Sequence, residues 1–157
     1  MSESPETRPA NGGDEVDALL RDLYASISFA RGQRPALSRL RQLLHVNALL
    51  VAAHGTPPRV MGPEDFIGSM EAQIESGALL AFQERELGRR SQRFGKVLHA
   101  MSAYETEMDN GAEVITSRGT NSIQLIQDDG RWWVISIVWD NETPDRPLPS
   151  GLTPADQ

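Results

Sequence analysis

The sequence predicts an α+β fold in which three N-terminal helices pack on a curved, mainly antiparallel sheet. Two observations carry this. Apolar residues recur at helical spacing through the first half, and period-two alternation takes over from Leu79. The dipeptides Asn110-Gly111 and Asp129-Gly130 then divide long strand patterns, the last of which, RWWVISIVWDNE, contains every tryptophan of the chain.

The elements follow in order. Residues 1–13 are rich in Ser, Glu, Pro and Gly, the composition of a disordered tail. Asp14 and Asp17 place carboxylates at the N-cap and first turn of a helix, where its free N–H groups favour negative charge. Val16, Leu19, Leu20, Leu23, Ile27 and Ala30 form one apolar stripe, and Gly32 stops it. Pro35 suits the first turn of a second helix, with Leu37, Leu40 and Leu44 on one face. The apolar run His45 to Ala53 reads as a buried strand. After the turn Gly55-Thr56-Pro57-Pro58, Arg59 to Met61 reads as a short hairpin partner. Pro63 begins a third helix, with Phe66, Ile67, Met70 and Ile74 buried, and Ser76-Gly77 ends it.

Four strands follow: Leu79 to Arg90, Lys96 to Met108, Ala112 to Gln127 and Arg131 to Asp140. Asn-Gly and Asp-Gly suit two-residue hairpin turns because both central residues need positive φ. These strands exceed the usual ~5–6 residues, so the sheet must twist and curl. Gly88, Gly95 and Gly119 are the expected bend points. A curled sheet with helices on its concave side makes a cone with a pocket. The domain is expected to span 14–142, followed by a Pro-rich tail, 143–157.

Composition narrows the function classes. A chain of 157 residues can bury one sizeable core. Its net charge of -7 argues against nucleic acid and anionic membrane surfaces as partners. There is no long apolar run to span a bilayer and no signal-peptide core, so a cytoplasmic location is expected. The absence of cysteine removes disulfides and thiolate chemistry. No phosphate-cradling Gly loop or G-x-S-x-G motif occurs, so no cofactor is expected. His45, His54 and His99 lack HxH or HExxH spacing, and no metal site is expected.

The segments FQERELGRRSQRFGKVLHAMSAYE, RGTNSIQL and DDGRWWVISIVWDNE resemble the nuclear transport factor 2-like superfamily. The SnoaL-like branch and branches of unknown function look closest. The resemblance covers roughly Val16 to Glu142 and implies a cystatin-like α+β roll with a cone-shaped pocket. Relatives on this scaffold include ketosteroid isomerase, polyketide cyclases, dehydratases and ligand-binding members, so the fold alone does not assign a reaction. Cyclase-like members often carry H-x-H on the last strand. The matching positions here, Ser136 and Val138, cannot act as bases. The resemblance also implies that the Ser136 and Asp140 face of this strand looks into the cone.

Several residues are candidates for chemistry. His99 alternates with Val97 and Met101, either as a general base or as a histidine that is buried and hydrogen-bonded or sits at an interface. Glu84 and Glu86 share one strand face, as an acid and base pair or as a solvated charge ladder with Arg85, Arg89, Arg90 and Arg93. Arg118 faces Glu105 across a hairpin, as an anion clamp or a bracing ion pair. Tyr24 and Tyr104 are pocket donors or satisfied core hydroxyls. Ligand contacts are expected from His99, Arg118, Ser136 and Asp140. Trp133, Ile135, Ile137 and Trp139 are expected on the outer face, joining a homodimer. The expected function is binding of a small apolar molecule in the cone. The alternatives are a cofactor-independent isomerase, cyclase or dehydratase, and a non-catalytic dimerisation domain.

Overall fold

A computed structural model of the protein describes residues 13–152. The expected N-terminal tail lies outside the described residues except for Gly13, as do residues 153–157. Helices α1 (Gly13–Ser26) and α2 (Leu37–Leu43) precede strands β1 (Leu44–Ala52) and β2 (Arg59–Met61). Helix α3 (Pro63–Glu75) follows, then strands β3 (Ala81–Phe94), β4 (Val97–Asp109), β5 (Val114–Asp128) and β6 (Arg131–Asn141). The six strands form one sheet in the order β2-β1-β6-β5-β4-β3. All neighbours are antiparallel except β1 and β6. Among the described residues no helix is long and apolar enough to cross a membrane.

The helices bury their stripes against the concave face. Val16 and Leu20 of α1, Leu40 of α2 and Ile67 of α3 join Leu98, Ala100, Ile123, Leu125 and Val134 in one core, each almost fully buried. This apolar burial is what holds helices as short as α2 in place, since a seven-residue helix is unstable alone. Asp129 and Gly130 adopt the positive φ of a two-residue turn. The Asn110-Gly111 connection departs from the expected tight hairpin. Pairing stops at Asp109 and Val114, leaving a four-residue loop. There the Asn110 side chain accepts the backbone N–H groups of Ala112 and Glu113, both at 2.9 Å.

Two bulges within the meander β3 to β6 set which of its residues face inward. Leu87 is the extra residue between the pairs Glu86/Tyr104 and Gly88/Ala103. Ile135 is the extra residue between Ser136/Gln124 and Val134/Leu125. Each reverses the in–out alternation beyond it. The second corrects the expected faces of the last strand. Trp132, Val134, Ile137 and Trp139 point into the concave side, and Ser136, Val138 and Asp140 point out. Ile137 and Trp139 therefore do not form an outer dimer patch. Trp133 stays half-buried beneath the Arg131 guanidinium, 3.5 Å from its ring centre, with His45 edge-on.

The Pro-rich segment after Glu142 is not a free tail. Leu152 is only 1% exposed and packs with Leu87 and Ala103 on the outer face of the sheet, with Leu148 and Met101 alongside. Arg146 Nη2 donates to the Asn141 carbonyl at 2.8 Å, and Arg90 Nη2 donates to the Ser150 carbonyl at 3.3 Å. Leu152→Ala should lower stability in urea titration by about 2 kcal/mol, the cost of removing a buried leucine side chain. An unchanged midpoint would mean that the segment is not packed in solution.

Candidate functional site

The helices do not fill the cone. Between α1, α3 and the concave face lies a cavity of about 610 Å³, the size of a small-molecule site. Its wall is mostly apolar: Leu23, Ile27, Leu50, Phe66, Met70, Leu79, Phe82, Met108, Ile137 and Trp139. Phe66 of α3 meets Trp139 of β6 edge-to-face at 6.4 Å, which fixes the indole as one wall. Glu84, Tyr24, Tyr104, Thr106, Ser117, Asn121 and Asn141 supply polar groups.

Glu84 is placed by its backbone. The chain leaving α1 pairs with the edge of β3: Phe29 and Phe82 exchange N–H···O bonds of 2.7 and 3.0 Å. Ser28 Oγ accepts the Glu84 N–H at 3.0 Å. The edge strand is thereby covered, and the Glu84 side chain is aimed into the cone. The residue is half-buried and lines the cavity. Asn121 Nδ2 donates to one oxygen, Oε2, at 3.0 Å. The nearby arginines pair elsewhere. Arg85 binds Glu105 at 2.6 Å, and Arg89 binds Asp17 and Glu86 at 2.9 and 3.1 Å. Burial without a cation raises the Glu84 pKa to about 7, and the Asn121 hydrogen bond only partly offsets this.

The second carboxylate of the pair stands apart. Asn121 also donates to Tyr24 Oη at 3.1 Å, Tyr24 Oη meets Ser102 Oγ at 2.6 Å, and Ser102 donates to Glu86 Oε2 at 2.5 Å. Because Ser102 donates to Glu86, Tyr24 must donate to Ser102, so its proton points away from the cavity. Burial, then the nearby Glu84 carboxylate, push the Tyr24 hydroxyl pKa well above the usual phenol range. Tyr104 is raised too, by burial first and Glu84 second. It donates to Asn141 Oδ1 at 2.6 Å. Gly119, paired with Tyr104 across the ladder, forms no bulge. It leaves the room that the hydroxyl occupies, for a Cβ there would collide with Tyr104 Oη and the Asp140 carbonyl.

The four residues expected to contact a ligand are not in this cavity. His99 lies on the outer face, its Nε2 2.9 Å from Ser122 Oγ. Arg118 braces the β4–β5 hairpin through Glu105 at 2.9 Å. Ser136 donates to Gln124 Oε1 at 3.0 Å, also outside. Asp140 points out, near Arg146 at 3.4 Å, and only its backbone carbonyl reaches Tyr104, at 3.2 Å. The Ile135 bulge accounts for Ser136 and Asp140. The pair Glu84 and Glu86 was visible as two carboxylates on one face beside Phe82. Asn121 and Asn141 lie within RGTNSIQL and DDGRWWVISIVWDNE, segments that point to the fold and give neither residue a role.

Two outcomes follow for this site. Glu84 is protonated in both states below its unfolded value of 4.5, and its folded value is about 7. Its stabilising contribution is thus complete below about pH 4.5 and is lost as pH rises through 7, a difference on the order of 3 kcal/mol. Glu84→Gln should match the wild type near pH 4.5 and exceed its stability at pH 8 in urea titrations. Equal stability at both pH values would place Glu84 in solvent. Gly119→Ala should displace the Tyr104 ring and destabilise by about 1–3 kcal/mol, measured as a lowered thermal midpoint.

No protein-family model and no curated protein matches the chain. Solved structures do. An NTF2-like protein from Cytophaga hutchinsonii superposes with a TM-score of 0.66 at 15% identity, covering 83% of this chain and 98% of that one. An uncharacterised protein with a cystatin-like fold from Caulobacter vibrioides gives 0.66 at 10%, covering 85% and 92%. The hexachlorocyclohexane dehydrochlorinase LinA-type3 from Novosphingobium barchaimii gives 0.66 at 13%, covering 82% and 85%. At such identities the likeness is one of fold. The chain carries the cystatin-like α+β fold of the NTF2-like proteins.

Proposed function

We propose that the protein binds a small, largely apolar molecule in the cone and moves a proton on or off it through Glu84. The observation that carries this is a carboxyl group in an apolar cavity with no cationic partner and no hydrogen bond to Oε1 among the described residues. With its pKa near 7, such a group changes protonation state in the neutral range, which suits a general acid or base. The carboxylate would take a proton from an acidic C–H or O–H, and the acid would return it at another atom. Isomerisation uses both halves of this exchange, and elimination uses the first, with the leaving group departing from the neighbouring atom with the electron pair of its bond. The dehydrochlorinase of like fold fits the same class, since loss of HCl includes removal of a proton.

The test is hydrogen–deuterium exchange. Cyclic and aromatic ketones incubated with the protein in D2O should exchange α-protons faster than in buffer, with a rate rising through about pH 7. Glu84→Gln should lose about 100-fold or more of that acceleration. If no ketone exchanges faster with wild type than with Glu84→Gln, the catalytic reading fails.

Pairing with a second copy through the outer face also stands as a proposal. Leu49 of β1 and Val138 of β6 leave 50% and 39% of their surfaces exposed there, near the strand centres. A patch shared by both copies suits a two-fold contact. Light scattering should report a dimer that Val138→Glu dissociates, and a wild-type monomer sinks the idea.

A further inference from the structure

The charges that line the cavity are unevenly placed. Glu84 is its one carboxylate among the described residues, and it sits on β3 at one edge of the sheet. Arg59 and His54 line the same cavity from β2 and the β1–β2 turn, at the opposite edge. Four strands separate the two edge strands, and no ion pair joins Arg59 to Glu84 among the described residues. Arg59 also borders an open groove with Met61, Ser69 and Gln73, residues that line the cavity as well. It therefore stands at the mouth.

Seven of the thirteen arginines among the described residues are already held by carboxylates. Arg31, Arg39, Arg41, Arg85, Arg89, Arg118 and Arg146 pair with carboxylates. Among the described residues Arg59 has no carboxylate within ion-pair distance, in a protein of net charge -7. The acid beside it in the groove, Asp65, accepts instead from the Gly62 N–H at 3.4 Å. Its neighbour Glu64 is held by Arg41 at 2.7 Å. A guanidinium with free donors and an imidazole N–H at the rim of an apolar cavity form a receptor for an organic oxyanion.

We propose that the ligand is an amphipathic organic acid. Its anionic head, a carboxylate or a sulfonate, presents two oxygens to the guanidinium of Arg59 and is held at the mouth by Arg59 and His54. Its apolar ring body passes Phe66 and Trp139 towards Glu84. This rests on the reading that the cone binds an apolar molecule, and it adds the charge and orientation of that molecule. A dianionic or highly polar ligand does not fit the apolar wall, and a cation would be repelled at the mouth.

The probes are 1-anilinonaphthalene-8-sulfonate and N-phenyl-1-naphthylamine, which share a ring system and differ in the sulfonate. Fluorescence titration of the full chain should show the sulfonate binding more tightly than the neutral amine. Arg59→Gln should weaken the sulfonate about tenfold and leave the neutral amine unchanged. Arg34→Gln, which removes a positive charge outside the cavity lining, should change neither. If the amine binds but the sulfonate has no advantage, or keeps its advantage in Arg59→Gln, the anionic head is excluded while the apolar cavity stands. If Arg34→Gln weakens the sulfonate equally, the effect is one of net charge and the mouth site is overturned. If neither probe binds, both the cone reading and this inference fall.

Discussion

The inward parity of the four long strands is the constraint on which everything else depends. A strand presents alternate residues to one face, and here the concave face must meet three helices while the convex face must not. The sheet can curl around the helices only if some strands carry an extra residue, and Leu87 and Ile135 are those residues. Each resets the alternation. Val134 and Ile137 both point inward although three positions separate them, and Glu86 and Arg89 do the same on β3. Without the second bulge Trp139 would face outward and the cavity would lose its aromatic wall.

The same curvature creates the electrostatic setting of the site. The helices leave part of the concave side unfilled, and an apolar cavity remains there. A carboxyl group projecting into that space exchanges water for a single amide hydrogen bond, from Asn121. Its neighbours on β3 are not available to neutralise it. Arg85 lies on the opposite face with Glu105, and Arg89 is committed to Glu86 and to Asp17 of α1. Two carboxylates that are near neighbours in the chain thus have unlike environments, one paired and one not. Asn121 links them, through Tyr24 and Ser102, in one buried polar network.

On the convex side, the chain covers part of its own sheet. Leu152 covers the region of Leu87 and Ala103, so part of the outer face is occupied by the chain itself. Leu87 points outward as alternation from Glu86 requires, and the extra residue there turns Arg89 beyond it inward. One extra residue therefore serves both faces.

Sequence alone determined the elements, since their signals are local. Helical stripes, period-two runs, Pro63 at a helix start and Asp129-Gly130 at a turn each express a preference within a few residues. The α+β order and the curled meander were legible for that reason, as were Tyr24, Tyr104 and Glu84 as residues worth weighing. Only the tertiary structure decided which face each strand shows beyond a bulge. Ile135 looks like any other strand residue, and it moved Ser136 and Asp140 outside and Ile137 and Trp139 inside. It alone also decided that Asn110-Gly111 opens into a longer loop, that Leu152 is buried, and that Glu84 rather than Glu86 lacks a cation. Desolvation belongs to an enclosed volume and an ion pair to two distant segments, and neither leaves a mark in the local pattern of residues.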